Sequence, residues 1–304
     1  MSQVVLIEEN TEDQEKLSQM LKAMGISQVA AFKDLTDAEK GFPLKKKDFR
    51  GVIFVRLPEG FSWQSDAYMR LRTEHSEACI LAMVPEATDE VKSLFMLVGF
   101  DQILLKPFDS TQLKEKLISA QRFRNYFCNE EVTASSVLPF EVVVDELAKG
   151  FHRVHLKGPI IDECALPELK CSEGGTLIVD CDHLTLINSV GIKQWLNWMG
   201  TLSSRNFKKI HFVNLKPGFL QLASFVKGFL PEGAVVNSFY LHYWDAEEST
   251  PRNFKFCLGR DFTAERLKVP TSREMITDGK MVAYELDDAA SMILRFYKGA
   301  VQIG

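Results

Sequence analysis

The sequence predicts an α/β protein with two domains, in which a doubly wound sheet of five parallel strands precedes a mixed α/β domain. At 304 residues the chain is longer than a single hydrophobic core usually supports. Short apolar runs alternate with amphipathic stretches from the start to about residue 120, which is the pattern of β/α units. A polar segment of small residues, 129–136, separates these units from a second series of strand-like runs.

The first domain contains five apolar runs that fit the buried strands of a parallel sheet, at residues 4–7, 29–32, 52–55, 79–84 and 103–105. Helical patterns occupy residues 11–24, 35–42 and 88–98, and a last helix begins near residue 110. Thr11 is predicted to cap the first helix and Gly25 to end it. We assign residues 1–122 to this domain and residues 123–138 to a linker, into which the last helix can extend.

The second domain is assigned to residues 139–248. Its strand-like runs lie at residues 140–144, 151–156, 176–179, 210–213 and 235–243, and its helices at residues 188–199 and 219–226. Residues 249–304 form an extension that is predicted to pack on this domain. Within the extension, residues 254–256 and 281–286 are predicted to pair as strands, before a short closing helix at residues 289–296.

Composition excludes several classes of function. The formal charge is −5, and no concentrated basic face indicates a nucleic-acid partner. No apolar run approaches the roughly 20 residues that cross a bilayer, and the first residues lack the pattern of a secretory signal. The six cysteines include no C-x-x-C pair and no zinc-type histidine spacing, so we expect no metal and no cofactor. This cysteine usage fits a reducing compartment, and we predict a cytoplasmic protein without membrane contact.

Two motifs in the first domain carry a resemblance to a known family. The acidic pair Glu8–Glu9 follows the first strand, and Lys106–Pro107 follows the fifth, within the run GFDQILLKPFD. On these residues the domain resembles the receiver domain of two-component response regulators, which has a flavodoxin-like fold. The resemblance implies that Glu8 and Glu9 occupy the positions of the magnesium-binding acids and Lys106 that of the phosphate-contacting lysine.

Two departures from the receiver pattern change the expected chemistry. The family's phosphorylated aspartate is replaced by Arg56, and its Ser/Thr at the end of the fourth strand is replaced by Val84. An arginine has no carboxylate to accept a phosphoryl group, and a valine has no hydroxyl to bond one. We therefore predict a pseudo-receiver in which Arg56 forms an ion pair with Glu8 and Glu9. This cluster is either purely structural or holds the domain in one state for docking, with the last two β/α units as the binding face.

The second domain resembles a STAS domain, the fold of anti-sigma-factor antagonists. The residues that carry this resemblance are 155–160, 176–180 and the loop 186–192. Ser189 and Gly191 match the family's D-S-x-G phosphorylation loop, and Asn188 replaces the aspartate. The resemblance implies that Ser189 is a phospho-switch at the start of a helix. The alternative is that Asn188 and Ser189 only begin the helix, since both are good N-caps.

The function predicted from these features is a non-enzymatic signalling scaffold or regulator that binds proteins through both domains. One alternative is a partner switch of the anti-sigma-factor-antagonist type, phosphorylated on Ser189 by a partner kinase or bound by an anti-sigma-type regulator. Another alternative is a module that senses a small molecule, and a homodimer is a further alternative to the monomer. The sequence contains no Ser-His-Asp set, no paired carboxylates at helix or strand spacing and no nucleotide-type glycine loop, so no catalytic residue is assigned.

Overall fold

The chain forms two compact units, Met1–Val132 and Thr133–Gly304. The structure is a computed structural model. It describes residues 3–41, 43–45, 49–58, 65–75, 78–128, 139–162, 164–169, 174–204, 207–245, 251–277, 280–288, 290–297 and 299–303. No helix in these ranges is both long enough and apolar enough to cross a membrane.

The first unit is a five-stranded parallel sheet with helices between its strands. The strands are β1 (Val4–Ile7), β2 (Val29–Phe32), β3 (Val52–Arg56), β4 (Cys79–Val84) and β5 (Gln102–Leu105). The helices are α1 (Thr11–Ala23), α2 (Leu35–Lys40), α3 (Ser65–Glu74), α4 (Asp89–Val98) and α5 (Ser110–Cys128). The strand order is β2-β1-β3-β4-β5, and every neighbouring pair is parallel. This is the flavodoxin-like order, so the predicted fold of the first domain is confirmed.

Both faces of this sheet are covered, which explains why its strands read as continuous apolar runs. Leu6 and Phe54 point to one face, where they pack against Leu17 of α1 and Leu113 of α5. Ile53 and the other alternating residues point the opposite way and are equally buried. Because successive side chains of a strand alternate between faces, burial of both sets requires helices on both sides.

Two local predictions in the first unit need correction. Thr11 is the first residue of α1, and the cap is Asn10, whose side-chain oxygen accepts the N–H groups of Glu12 and Asp13 at 3.0 and 3.2 Å. Helix α2 ends at Lys40 because Gly41 takes the C-cap with an extended backbone. Helix α5 continues to Cys128, so it extends into the predicted linker as the sequence allows, and residues 129–138 lie outside the described residues.

The second unit contains a mixed five-stranded sheet. Its strands are β6 (Glu141–Ala148), β7 (Phe151–Ile160), β8 (Gly175–Ile187), β9 (Phe207–Val213) and β10 (Val235–Val236), in the order β10-β9-β8-β7-β6. β6 is antiparallel to β7, and the other pairs are parallel. Helices α6 (Ser189–Ser204) and α7 (Pro217–Phe225) join the last three strands. Trp195 and Trp198 of α6 are buried in the core.

A second sheet of this unit is built from the residues that follow Asn237. It contains β11 (Ser238–Asp245), β12 (Pro251–Cys257), β14 (Ser272–Thr277) and β15 (Lys280–Leu286), in the antiparallel order β12-β11-β15-β14. Two further strands, β13 (Arg266–Val269) and β16 (Ala300–Ile303), pair in parallel. A short helix, α8 (Ala290–Ile293), leads into a 3-10 helix at Leu294–Phe296.

The strand assignments at the end of the chain are corrected in two places. Residues 254–256 and 281–286 do not pair with each other, because they lie on opposite edges of β11. The single strand predicted at residues 235–243 is two strands that divide at Asn237. The backbone N–H of Asn237 donates to Phe212 of β9, while its carbonyl accepts from Leu258, so the chain changes sheets at this residue.

One hydrophobic core runs through the second unit. The core contains aromatic side chains from both sheets and from the helices, among them Trp195, Phe212, Phe239, Phe256 and Tyr284. Phe239 and Phe256 stack with ring centroids 5.5 Å apart and planes 7° apart. Residues beyond position 248 therefore supply part of the same core as the mixed sheet.

Candidate functional site

The five residues predicted for the receiver-like pocket lie at one edge of the first sheet. Glu8 and Glu9 follow β1, Arg56 ends β3, Val84 ends β4 and Lys106 follows β5. All the strands are parallel, so their carboxyl ends meet at this edge. The carboxyl edge is where open α/β sheets bind ligands.

Lys106 bridges two carboxylates at this edge. Its Nζ lies 2.5 Å from Oε2 of Glu8 and 2.5 Å from Oδ2 of Asp13. The side chain of Glu8 is only 1% exposed, whereas that of Asp13 is 44% exposed. The buried carboxylate of Glu8 is therefore held by a charge-assisted hydrogen bond.

Arg56 contacts the acidic pair from the neighbouring strand. Its Nη1 hydrogen bonds to the carboxylate of Glu9, and its Nε lies 3.8 Å from Oε1 of Glu8. That same Oε1 atom accepts the backbone N–H of Asn10 at 3.0 Å. Each oxygen of the Glu8 carboxylate thus has a partner within the domain.

We call Glu8, Glu9, Asp13, Arg56 and Lys106 the edge cluster. It sets three carboxylates against two cations, and every carboxylate contacts a cation. Among the described residues, no group of three or more His, Cys, Asp or Glu side chains is arranged to hold a metal ion. A divalent ion that entered would first have to displace Arg56 or Lys106 from its carboxylate partners.

Asp13 is a member of the edge cluster that was not predicted from the sequence. It lies in the first turn of α1, which begins just after the carboxyl end of β1. An acidic residue in the first turn of α1 points back toward the same sheet edge.

Val84 is buried with 1% exposure, and its carbonyl accepts the backbone N–H of Lys106 at 2.8 Å. The position predicted for a phosphate-binding hydroxyl therefore offers only an alkyl side chain.

The second predicted site lies at the start of α6. Oδ1 of Asn188 accepts the backbone N–H of Gly191 at 2.8 Å, so Asn188 is the cap of the helix. Its Nδ2 also donates to Oδ1 of Asp162 at 2.9 Å. Ser189 follows as the first helical residue and is exposed.

The start of α6 combines a close backbone contact at Gly191 with two exposed apolar side chains near Ser189. A Cβ atom on Gly191 would overlap the backbone carbonyl of Ile160, so only glycine fits there without a shift. Leu186 and Val190 on either side of Ser189 are 50% and 43% exposed. The serine hydroxyl therefore lies among exposed apolar side chains at a helix N-terminus.

A buried charged network on the mixed sheet was not singled out from the sequence. Nδ1 of His155 lies 3.2 Å from Oδ2 of Asp180, whose Oδ1 accepts Nδ2 of Asn214 at 2.8 Å. Nη2 of Arg153 lies 3.4 Å from Oδ2 of Asp145. The available signal was alternation, since Arg153, His155 and Lys157 are separated by the core residues Val154 and Leu156.

The same network shifts the acidity of two of its members. Burial, with the charge of Arg153 next, lowers the pKa of His155, although Asp180 and Asp145 act in the opposite direction. Burial alone would raise the pKa of Asp180, but hydrogen bonds from His155 and Asn214 and the charge of Arg153 outweigh it and lower that pKa. The two shifts favour the neutral form of His155 and the ionised form of Asp180.

Comparison with known proteins gives matches to solved structures. No model of a protein family matches the chain, and no curated protein matches it. A two-component response regulator from Clostridium difficile is 20% identical, with a TM-score of 0.35, over 41% of this chain and 99% of that chain. A response regulator from Thermotoga maritima is 18% identical, with a TM-score of 0.35, over 40% and 97%. An adenylate cyclase structure from Rhodopirellula baltica is 12% identical, with a TM-score of 0.35, over 41% and 90%. The alignments with the two response regulators cover the N-terminal domain.

Proposed function

We propose that this protein is a non-enzymatic signal-transduction regulator that binds other proteins and whose first domain accepts no phosphoryl group. The observation that carries the proposal is Arg56 at the end of β3, paired with Glu8 and Glu9. A guanidinium supplies no oxygen for an acyl phosphate and stays charged near neutral pH. The fold can therefore present a docking surface without the chemistry that would switch it.

The rest of the edge cluster supports this proposal. Lys106 is engaged with Glu8 and Asp13, so its ammonium is committed to carboxylates instead of being open to an incoming phosphate. Binding of a metal ion by Glu8 would require breaking its contact with the ammonium of Lys106 and moving it from the guanidinium of Arg56. These contacts favour one resting state of the domain.

Treatment with a small phosphodonor tests the proposal directly. The full chain is incubated with acetyl phosphate and Mg²⁺ and then examined by intact-mass spectrometry at neutral pH. We expect no added phosphoryl mass, because Arg56 stands at the acceptor position. A double variant, Arg56→Asp with Val84→Thr, supplies the acceptor and the hydroxyl in the same chain and is the comparison. Phosphoryl mass on the unaltered protein that hydroxylamine removes would contradict the proposal.

A second candidate function is a partner switch at Ser189 on a STAS-like second domain. Ser189 is exposed at the N-terminus of α6, and the capping bond of that helix comes from Asn188. A phosphate on Ser189 would sit at the positive end of the helix dipole and would change the charge of the surface around Leu186 and Val190.

Affinity purification from the native organism separates the two candidates. The intact chain is compared with Ser189→Ala and Ser189→Asp variants. A switch requires that one partner be kept by Ser189→Ala and lost by Ser189→Asp, or the reverse. Equal capture of every partner by all three forms, with no phosphate on Ser189, supports the phosphorylation-independent regulator.

We also propose a reducing cytoplasmic setting, because Cys164, Cys181 and Cys257 are free thiols.

A further inference from the structure

The second unit contains a cavity of about 680 Å³ that neither candidate site uses. One side is formed by the end of α7 and the loop from Lys227 to Gly233 that leads to β10. The other side is formed by Leu258, by residues 262–264 and by Phe296 and Tyr297. Ligand pockets in proteins commonly measure roughly 300–1,000 Å³, so this cavity has the volume for a small molecule.

Specific contacts hold the two sides of the cavity in place. Oγ of Ser224 donates to the carbonyl of Ile293 at 2.5 Å and accepts the N–H of Phe296 at 3.1 Å. The hydroxyl of Tyr297 donates to the carbonyl of Thr263 at 2.7 Å. The ring of Phe262 meets that of Tyr297 edge-on, with centroids 6.1 Å apart. The cavity is therefore formed before a ligand arrives, which lowers the entropy cost of binding.

The lining is mainly apolar. The described lining side chains that form the apolar surface include Val226, Leu230, Val236, Leu258, Phe262 and Phe296. Several polar groups of the wall are already engaged, since the N–H groups of Ala234 and Leu258 donate to the carbonyls of Pro231 and Asn237 at 3.1 and 2.8 Å. A ligand would therefore gain its binding energy chiefly from apolar contact.

Among the residues that the structure describes, two side chains of the lining are charged. Both lie on the loop between α7 and β10, and their charges have opposite signs. Lys227 and Glu232 are both exposed, so both charges remain in contact with water. A charged ligand group that is buried against the apolar wall would lose its hydration, which costs free energy. An ion pair with the exposed Lys227 or Glu232 would offset only a small part of that cost. The lining thus selects against a ligand with a net charge on its buried part.

We propose that this cavity binds an uncharged, apolar small molecule through the end of α7, the α7–β10 loop and the segment around Phe262. The proposal goes beyond regulation by protein binding and assigns a position to the small-molecule alternative raised by the sequence. The concave shape and volume fit a compact ring system or a short chain better than the extended surface of a protein partner.

A fluorescence titration with N-phenyl-1-naphthylamine, an uncharged apolar dye, tests the proposal on the full chain. We expect a saturable rise in dye emission with one dye per chain. Ala264 lines the cavity and is exposed, so Ala264→Trp should fill the mouth and weaken dye binding at least tenfold. The matched control is Ala283→Trp, which adds the same side chain at an exposed position of β15 outside the lining and should leave the affinity unchanged.

Two outcomes would overturn the proposal. One is the absence of saturable dye binding to the unaltered protein. The other is equal affinity of the Ala264→Trp and Ala283→Trp variants for the dye. If Ala264→Trp lowers the midpoint of thermal unfolding, Val226→Asp provides the same comparison, since it keeps the space open but places a carboxylate against the apolar ligand. Dye affinity that is unchanged in Val226→Asp also contradicts the proposal.

Discussion

Lys106 contacts three parts of the first domain through its side chain and its backbone. Its ammonium group contacts Glu8 after β1 and Asp13 in α1, and its backbone N–H donates to Val84 of β4. The two carboxylates differ sharply in exposure, at 1% for Glu8 and 44% for Asp13. The two ion pairs should therefore contribute very different amounts to stability, because water screens only the exposed pair.

Replacement of Lys106 tests this difference. Lys106→Met keeps most of the side-chain volume but leaves the buried carboxylate of Glu8 without its ammonium partner, and we expect a loss of about 3 kcal/mol in the free energy of unfolding. Asp13→Asn removes only the exposed carboxylate and should cost about 1 kcal/mol or less. Urea denaturation of the full chain, followed by circular dichroism, measures both changes. Equal losses in the two variants would show that Glu8 does not depend on Lys106.

Sequence reasoning at this scale identified side chains better than it identified their partners. Motif positions brought Glu8, Glu9, Arg56 and Lys106 to one sheet edge, because strand order and direction follow from the fold. Asp13 was missed because its role depends on the rotation of α1 about its axis. The opposed charges of Arg153, His155, Asp145 and Asp180 were missed because their pairing depends on register between strands. Neither rotation nor register is encoded in a local pattern.

The N-terminus of α6 shows how one cap organises an element. Asn188 accepts the N–H of Gly191 and donates to Asp162, while Ser189 occupies the first helical position. The cap and the candidate phosphorylation site are therefore adjacent residues with separate tasks. Loss of one should leave the other largely unaffected in the folded protein.

Alanine at these two positions separates the tasks. Asn188→Ala leaves the N–H of Gly191 without its side-chain acceptor, and we expect a loss of about 1 kcal/mol in the stability of the second unit. The matched control Ser189→Ala should change stability by less than about 0.5 kcal/mol. Guanidinium denaturation, monitored by tryptophan emission in a chain that carries Trp63→Phe and Trp244→Phe so that only Trp195 and Trp198 of α6 emit, reports both values. A larger loss in Ser189→Ala than in Asn188→Ala would reverse the assignment of the cap.

Element boundaries were predictable where burial is continuous and harder to predict where it alternates. The strands at residues 4–7 and 79–84 match the structure because both of their faces are buried, and the strand at residues 29–32 also matches although it is a half-buried edge strand. Strand β8 was predicted to end at Val179 but runs to Ile187, since its later polar residues face away from the core. The pairing of residues 254–256 with 281–286 was wrong because strand propensity does not specify which neighbour a strand selects.

At the scale of the whole chain, the second unit is larger than the domain that its motifs outline. Phe256 of β12 is fully buried and stacks on Phe239, in the same core that holds Trp195 and Phe212. The segment beyond residue 248 is therefore part of the folded unit and not a detachable tail. A destabilising substitution within this segment should therefore also destabilise the packing of α6.

Truncation of Phe256 tests whether this core is shared. Phe256→Ala should lower the free energy of unfolding by about 3–5 kcal/mol, because it removes a fully buried ring and leaves a cavity. The control Phe225→Ala removes a ring that is 49% exposed and should cost less than about 1.5 kcal/mol. Both variants are made in a chain that carries Trp63→Phe and Trp244→Phe, so that the tryptophan emission comes from Trp195 and Trp198 of α6 and measures the effect at a distance from the substitution. An unchanged transition of this emission in Phe256→Ala would show that the extension unfolds separately.

Asn237 alone lies between β10 of the mixed sheet and β11 of the antiparallel sheet. Its side-chain oxygen lies 2.7 Å from Nδ1 of His211, and its backbone is bonded to both Phe212 and Leu258. Consecutive Cα atoms are about 3.8 Å apart, so a one-residue connection has no slack to let the sheets slide past each other. The backbone of Leu215, which follows β9, also bonds to Ser238 and Tyr240 of β11, so the two sheets are tied together at a second point. A shift of one sheet would therefore reach Val235 and Val236, which line the cavity.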